Sequence, residues 1–269
     1  LSTQKAAYKE YAQAIPAAYA IVKRGTSPCK AECPAHISAQ GFVAFAAQGK
    51  YDKALNVIKD QNPLPAVCGR VCHHPCESAC TRGELDEPLA IKDIERFLAD
   101  RDLHAEKRYT PKCKKRRDEK VAVIGSGPAG LSCAYFLARQ GYPVCIYEQR
   151  PEPGGMLYAG IPGFRLPREV VRAEIRVVQD MGVEMRTGMN VGEDVTVEQL
   201  RNEGCRAVFL AVGAQAARAP GIEGEMLEGV CPALEWLEKI NTAANPPSLA
   251  GQRVAVLGGD DVAVDAARS

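Results

Sequence analysis

Eleven of the 269 residues are cysteine, and six of these fall between Cys29 and Cys80. The run PCKAECP holds Cys29 and Cys33, and CGRVCHHPCESAC holds Cys68, Cys72, Cys76 and Cys80 at every fourth position. Thiolates are soft ligands, and such runs with a Cys-Pro step suit iron–sulfur cubes. Zinc accepts the same donors, and His73 and His74 lie inside the second run, so spacing alone leaves zinc open. Plain core packing of a helical C-x-x-x-C face is the other alternative, and so many thiols in one short span weigh against it. A disulfide framework is expected of a small secreted chain, whereas this count is odd and no secretory signal pattern opens the sequence. Glu95 adds a carboxylate to the set. It falls between Ile91 and Leu98 on the apolar stripe of a helix, where a buried charge demands a cation or a metal.

A second kind of chemistry is written in VAVIGSGPAG. Gly125, Gly127 and Gly130 have the G-x-G-x-x-G spacing, filled by Ser126, Pro128 and Ala129. The first glycine allows a tight turn, the second lets backbone approach a pyrophosphate, and the third packs helix on strand. The free amides and dipole of the following helix then face the phosphates. The context is complete: a strand over Val121–Ile124, a helix over Leu131–Gln140 stopped by Gly141, a strand over Val144–Tyr147, then Glu148 to bind ribose hydroxyls and Gln149 beside it. RVAVLGGDDVAVDAARS starts a similar unit with Gly258 and Gly259, but Asp260 stands where a third glycine is usual, followed by Asp261. Two carboxylates there repel a pyrophosphate; the plainer reading is that they cap a helix.

Elements that position these groups follow from periodicity. Residues 1–110 read as helices and loops, with helices over Ala39–Gln48 and Tyr51–Asp60 separated by Gly49, and a further one opened by Pro88. PKCKKRRDEK, 111–120, is short and mixed in sign, which favours a solvated linker over a nucleic-acid patch. From Lys120 strands and helices alternate: a helix follows over Glu169–Met181, a strand over Ala207–Val212 and another over Arg253–Leu257. This alternation implies an α/β fold with a parallel, doubly wound sheet. Cys113, Cys133, Cys145, Cys205 and Cys231 are scattered and read as small buried hydrophobes. Composition is that of an ordinary globular chain with net charge +1, so no global field points to nucleic acid. No apolar run reaches the ~18 residues of a membrane span. The chain starts at Leu1 rather than Met, as expected where residues have been removed, and stops one helix into its last unit.

PGGMLYAGIPGFRLP, Pro153 to Pro167, resembles the flavin-binding segment of the glutamate synthase small-subunit family, which includes the N-terminal flavin region of dihydropyrimidine dehydrogenase. The resemblance runs from Pro28 to Arg268. It implies a helical iron–sulfur domain over 1–110, a linker over 111–120, a Rossmann-like FAD domain over 121–250 and, over 251–269, the start of an inserted NAD(P) domain. It further implies that Gly154, Gly155 and Met156 approach FAD, that Arg165 reaches it, and that Val191 lies near the adenine. FLAVGA, with Gly213, resembles the segment joining the two domains. A surface salt bridge is the alternative for Arg165. Glu95 falls where dihydropyrimidine dehydrogenase has a glutamine cluster ligand, which groups Cys33, Cys72, Cys76 and Glu95. Cys29 and Cys80 would belong to a second cluster, completed by Cys68, a histidine or an external ligand. Here the chain departs from the family, whose C-x-x-C pair upstream of Cys29 is replaced by RGTSP.

The resemblance implies a cytoplasmic electron-transferring oxidoreductase in which NAD(P)H, FAD and one or two [4Fe-4S] clusters serve a partner redox subunit or domain in a hetero-oligomeric complex. The competing readings are a relay or docking subunit that binds no nicotinamide, and a zinc-stabilised flavoprotein. No Ser/His/Asp or Cys/His nucleophile arrangement is evident, and no residue is assigned as an acid or base.

Overall fold

A computed structural model describes residues 26–217 and 219–269; the first 25 residues of the expected iron–sulfur domain lie outside the described residues. The N-terminal part is helical: α1 (Pro28–Glu32), α2 (Ala39–Ala47), α3 (Tyr51–Lys59), α4 (Pro65–Val71), α5 (Pro75–Ser78) and α6 (Ile91–Leu103), with a 3-10 turn at Thr81–Glu84. Proline in the first turn fixes the start of α1, α4 and α5. Cys33 and Cys72 cap the ends of α1 and α4. Helix starts and stops therefore set where the thiols stand. Pro88 does not open α6; the helix begins at Ile91, where Glu77 Oε1 accepts the Lys92 N–H at 2.7 Å and satisfies an otherwise free amide. A small core of Ile37, Phe42, Ala54, Ile58, Ile91 and Leu98 holds these helices together.

The second part is a four-stranded parallel sheet in the order β3-β2-β1-β4: β1 (Lys120–Ile124), β2 (Val144–Glu148), β3 (Glu184–Thr187) and β4 (Cys205–Leu210). Between them run α7 (Pro128–Arg139), α8 (Met156–Ala159), α9 (Arg168–Asp180) and α10 (Val197–Asn202). Val123 and Ile146 face α7 and α9, while Ala122, Cys145 and Tyr147 face Leu200 of α10. Helices on both faces make the sheet doubly wound, as the alternation predicts. Strand order reverses at β1, and the crevice at such a switch point is where α/β sheets take ligands. The short edge strand β3 reads EMRT, with no apolar run to announce it. The chain continues through α11 (Ala233–Thr242) to α12 (Asp261–Arg268).

Two expectations are corrected. Arg253–Leu257 forms no strand: no neighbouring strand pairs with it among the described residues, and Val254 and Leu257 are exposed. Cys113 and Cys231 are exposed rather than core residues, whereas Cys145 and Cys205 are buried. The basic connector is exposed over 112–119, as a solvated linker requires, and it is also fastened to the end of α7. Lys114 N–H donates to Arg139 O at 2.9 Å, and Arg117 N–H to Gly141 O at 2.8 Å. The Arg117 guanidinium stacks on Tyr142, 4.6 Å from the ring centre, and its Nε–H reaches Gln140 O at 3.2 Å. These cations sit at the C-terminal, negative end of α7, where they oppose its dipole.

The two parts share one interior. Leu64, Ala66, Val67 and Ala99 of the helical part pack in the same core as Val123, Leu131 and Val171. Beside it lies a buried charge cluster. Glu174 of α9, with no exposed side-chain surface, stands 3.5 Å from Lys59 Nζ and 3.7 Å from Arg108 Nη2. Asp102 stands 3.8 and 3.2 Å from the same two cations. Glu174 Oε1 also accepts the Ala66 N–H at 2.8 Å, and Asp102 the Tyr109 N–H at 2.7 Å. Removing one member of such a cluster strands the others in low dielectric. Glu174→Ala is expected to lower unfolding free energy by about 3–5 kcal/mol, read from urea titrations. Glu174→Gln, which keeps an acceptor for Ala66, should lose less.

Candidate functional site

At the first glycine turn the chain leaves β1 through Gly125, whose φ of +102° admits a side chain only with strain. A Cβ there would lie 2.3 Å from Ala211 O. The close approach seats the end of β4 against the turn. Gly127 is the N-cap of α7, with no side chain over the helix start, and the space a Cβ would take there is open. The first-turn amides of α7 thus face an unobstructed crevice, with Pro128, Ala129 and Gly130 opening the helix. A Cβ on Gly130 would strike Gly125 O at 1.9 Å, so only glycine lets the helix lie this close.

Glu148 occupies the expected place, as the last residue of β2, but it works inward. It is buried, its Oε2 accepts from Ser126 N–H at 2.9 Å and Ser126 Oγ–H at 2.5 Å, and its Oε1 accepts from Arg150 N–H at 2.9 Å. Ser126 Oγ in turn accepts the Gly154 N–H at 2.9 Å. One carboxylate therefore braces the turn and, through Ser126, the PGG segment against it. Gly155, at φ +55°, lies so close that its Cβ would sit 2.9 Å from Gly127 Cα. Met156 begins α8 immediately beyond. These residues converge on a single glycine-lined cradle, whose empty Cβ position at Gly127 fits a dinucleotide pyrophosphate.

Other expected cofactor residues make contacts of their own. Arg165 turns to α12, with Nε and Nη2 at 2.9 and 2.6 Å from Asp265 Oδ1. Arg165 therefore forms a salt bridge, and its partner Asp265 is buried. Gln149 donates to Gln215 Oε1 at 3.1 Å. Val191 pairs with Val195 near a cleft of about 470 Å³ lined by Tyr147, Arg186, Met189 and Val195, which excludes the glycine turn. Gly213 lies beyond β4 on an exposed stretch. At the second turn, Gly258 takes φ +130° and Gly259 faces open space, while Asp260 Oδ1 accepts the Ala263 N–H at 2.9 Å. Asp260 is therefore a helix cap, the plainer of its two readings.

The six N-terminal thiols are all half-buried and unpaired. Cys29, Cys33 and Cys76 pack on the edge of the helical core. Burial and then the neighbouring Cys33, Glu77 and Cys72 push the Cys76 thiol up to about 11. Cys72 Sγ accepts the His74 N–H at 3.3 Å. Backbone amides of Leu89 and Arg82 lower the Cys80 thiol. Amides aimed at sulfur favour thiolate and tune cluster potential, so this donor set fits iron–sulfur ligation. His36 and His74, at φ 51° and 47°, hold left-handed backbone beside Cys33 and Cys72, a strain of about 1–3 kcal/mol for each. Among the described residues no three His, Cys, Asp or Glu side chains close around a single-ion point.

Glu95 is buried as its stripe position requires, but it stands beside Cys68. Its Oε1 accepts from Asn62 Nδ2 at 2.8 Å, and the Cys68 thiol donates to Asn62 Oδ1 at 3.7 Å. Burial first, then Glu95, pushes the Cys68 thiol up to about 12. Asn62 was not singled out in the sequence; its Asn-Pro step is a turn signal. The crossing that brings Cys68 to Glu95 needs Gly69, whose Cβ would lie 2.7 Å from Arg96 Cα.

Two outcomes follow from this geometry. Ser126→Ala removes a charge-assisted bond and strands the Gly154 amide. It should cost about 2 kcal/mol in urea unfolding and lower bound flavin, measured by absorbance of the purified protein. Burial raises Glu95 from 4.5 to about 7. The folded form therefore holds a proton that the unfolded form has released. Cluster-free protein should lose roughly 3 kcal/mol of stability as pH rises from 4.5 to about 7. Glu95→Gln should flatten that slope in unfolding titrations across this window.

Residues 119–269 match the family described as pyridine nucleotide-disulphide oxidoreductase, and residues 2–107 match dihydropyrimidine dehydrogenase domain II, 4Fe-4S cluster. Relatives include the NADP(+)-dependent formate dehydrogenase subunit beta of Moorella thermoacetica, 40% identical over 91% of this chain and 38% of that protein. The NADPH-Fe(3+) oxidoreductase subunit beta of Geobacter sulfurreducens is 37% identical over 92% of this chain and 37% of its own length. The glutamate synthase [NADPH] small chain of Escherichia coli is 35% identical over 91% and 54%. The chain thus spans less than two thirds of each of these relatives. It belongs to the pyridine nucleotide-disulphide oxidoreductase family, here joined to a 4Fe-4S domain of the dihydropyrimidine dehydrogenase type.

Proposed function

We propose that this chain is the flavin- and cluster-bearing part of an NAD(P)H-linked electron-transfer oxidoreductase, with FAD at the Gly125–Gly130 turn and [4Fe-4S] ligation among the N-terminal thiols. The observation that carries this reading is the shared core around Leu64, Val67, Val123 and Leu131. It holds the thiol-bearing helices in fixed register with the glycine cradle, as a short electron path requires. Bound FAD supplies exchange between two-electron and one-electron carriers, and the clusters carry single electrons. The protein's share is placement. Gly127 leaves room for the pyrophosphate, Ser126 and Glu148 lock the turn, and the amides at Cys80 favour thiolate. Cys33, Cys72 and Cys76 form the core of one ligand set, with Glu95 as its fourth member; Cys29 and Cys80 contribute to a second. The domain division is 1–110, 111–120, 121–250 and 251–269.

The relatives are named as beta subunits or small chains, which supports a partner redox subunit as electron acceptor. No described helix is long and apolar enough to cross a membrane. A relay or docking role without nicotinamide is favoured by one observation only, the capping of the second turn by Asp260. Anaerobic addition of NADPH or NADH to the full-length protein should bleach the flavin band, with iron and acid-labile sulfide present in the same sample. An unbleached flavin would defeat the NAD(P)H-linked reading, and absence of iron would defeat the clusters.

A further inference from the structure

The two glycine turns can be compared atom for atom. Each leaves its first glycine at positive φ, +102° at Gly125 and +130° at Gly258. Each reaches its helix N-cap two residues later in nearly the same extended backbone: φ −67° and ψ −178° at Gly127, φ −83° and ψ 177° at Asp260. The backbone of the two caps is therefore alike, and the difference is the side chain. At Gly127 nothing covers the helix start. At the start of α12 the Asp260 carboxylate lies over it and takes the Ala263 N–H at 2.9 Å. That is the place where a dinucleotide pyrophosphate gains its amide contacts.

The charge is not neutralised locally. Arg165 is committed to Asp265, with Nη1 3.8 Å from Asp261, and His73 Nε2 lies 3.9 Å from Asp261. Among the described residues no cation is within 4.0 Å of the Asp260 carboxylate. Gly258 and Gly259 suit a phosphate; the Asp260 carboxylate, as held, does not.

We infer that Asp260 acts as a built-in anion that competes with the dinucleotide for the second turn and sets its affinity. A pyrophosphate enters only when the Asp260 side chain gives up Ala263 and rotates away, against its own negative charge. This rests on the NAD(P)H-linked reading above and adds to it the residue that controls nucleotide occupancy. In this family position the chain is thereby weakened for nucleotide relative to a glycine-capped turn, while the first turn keeps full access.

The test is calorimetric titration of NADP+, and separately NAD+, into full-length oxidised holoprotein as wild type, Asp260→Gly and Asp260→Asn. Asp260→Gly should bind on the order of tenfold more tightly, because repulsion and occlusion are both removed. Asp260→Asn keeps a capping oxygen without the charge and should gain a smaller factor. Tightening in either variant supports the assignment. Affinities equal to or weaker than wild type in both, including no binding by any form, overturn it. Flavin and iron contents of the same samples are read without nucleotide, so their loss would count against the cofactor assignments and not against Asp260.

Discussion

Four charged side chains, three of them buried and Arg108 half-buried, hold this molecule in one piece. Lys59 closes α3, Asp102 and Arg108 lie at and just beyond the end of α6, and Glu174 is in the middle of α9. Two cations and two anions balance, and two backbone amides satisfy the remaining carboxylate oxygens. Buried ion pairs contribute little net stability over an apolar core, but they tolerate no partial version. Their value here is geometric: helices from the thiol-bearing part and the nucleotide-binding part must meet in one register, or charges are left stranded. Tyr135 Oη donating to Lys59 O at 2.9 Å and Arg139 pairing with Asp60 at 2.7 Å extend that register along α7.

From this junction the site follows in two directions. Toward the sheet, α7 is pinned at its far end, and its near end is the glycine turn braced by Glu148 and Ser126. Toward the thiols, α4 lies across α6 at Gly69 and carries Cys68 and Cys72 with it. The thiol loops are built of very short helices, and their two left-handed histidines are strained. Such segments hold shape through their neighbours rather than through their own hydrogen bonds.

Local signals were the most legible in the sequence. The β1–α7–β2 unit, the parallel sheet and the helical N-terminal part all follow from periodicity and glycine placement, because the forces involved act within a few residues. Burial of Glu95 was legible from its stripe, and the same argument applied to Glu174, between Val170 and Val178, points to a second buried carboxylate. Partners were not legible, since they come from distant segments: Asn62 for Glu95, Lys59 for Glu174, Asp265 for Arg165. Glu148 was found by position, yet its inward bonding to Ser126 is a tertiary fact. Cys113 and Cys231 show the limit of composition, since a thiol is apolar enough for a core and small enough for a surface. Strand propensity at Arg253–Leu257 counted for nothing without a neighbour to pair with, because a strand's hydrogen bonds all lie outside itself.

The charged connector carries a last consequence. It is held at Lys114 and Arg117 on the end of α7, and Tyr109, just before it, is fastened to Asp102. The two parts on either side meet through a common apolar interior and a closed ring of charges, as subunits of an obligate complex do. The peptide between them therefore acts less as a tether than as a source of high effective concentration: it brings together two surfaces that would recognise each other without it. Chain continuity and mechanical continuity are separate properties in this molecule, and the second is carried by side chains more than a hundred residues apart.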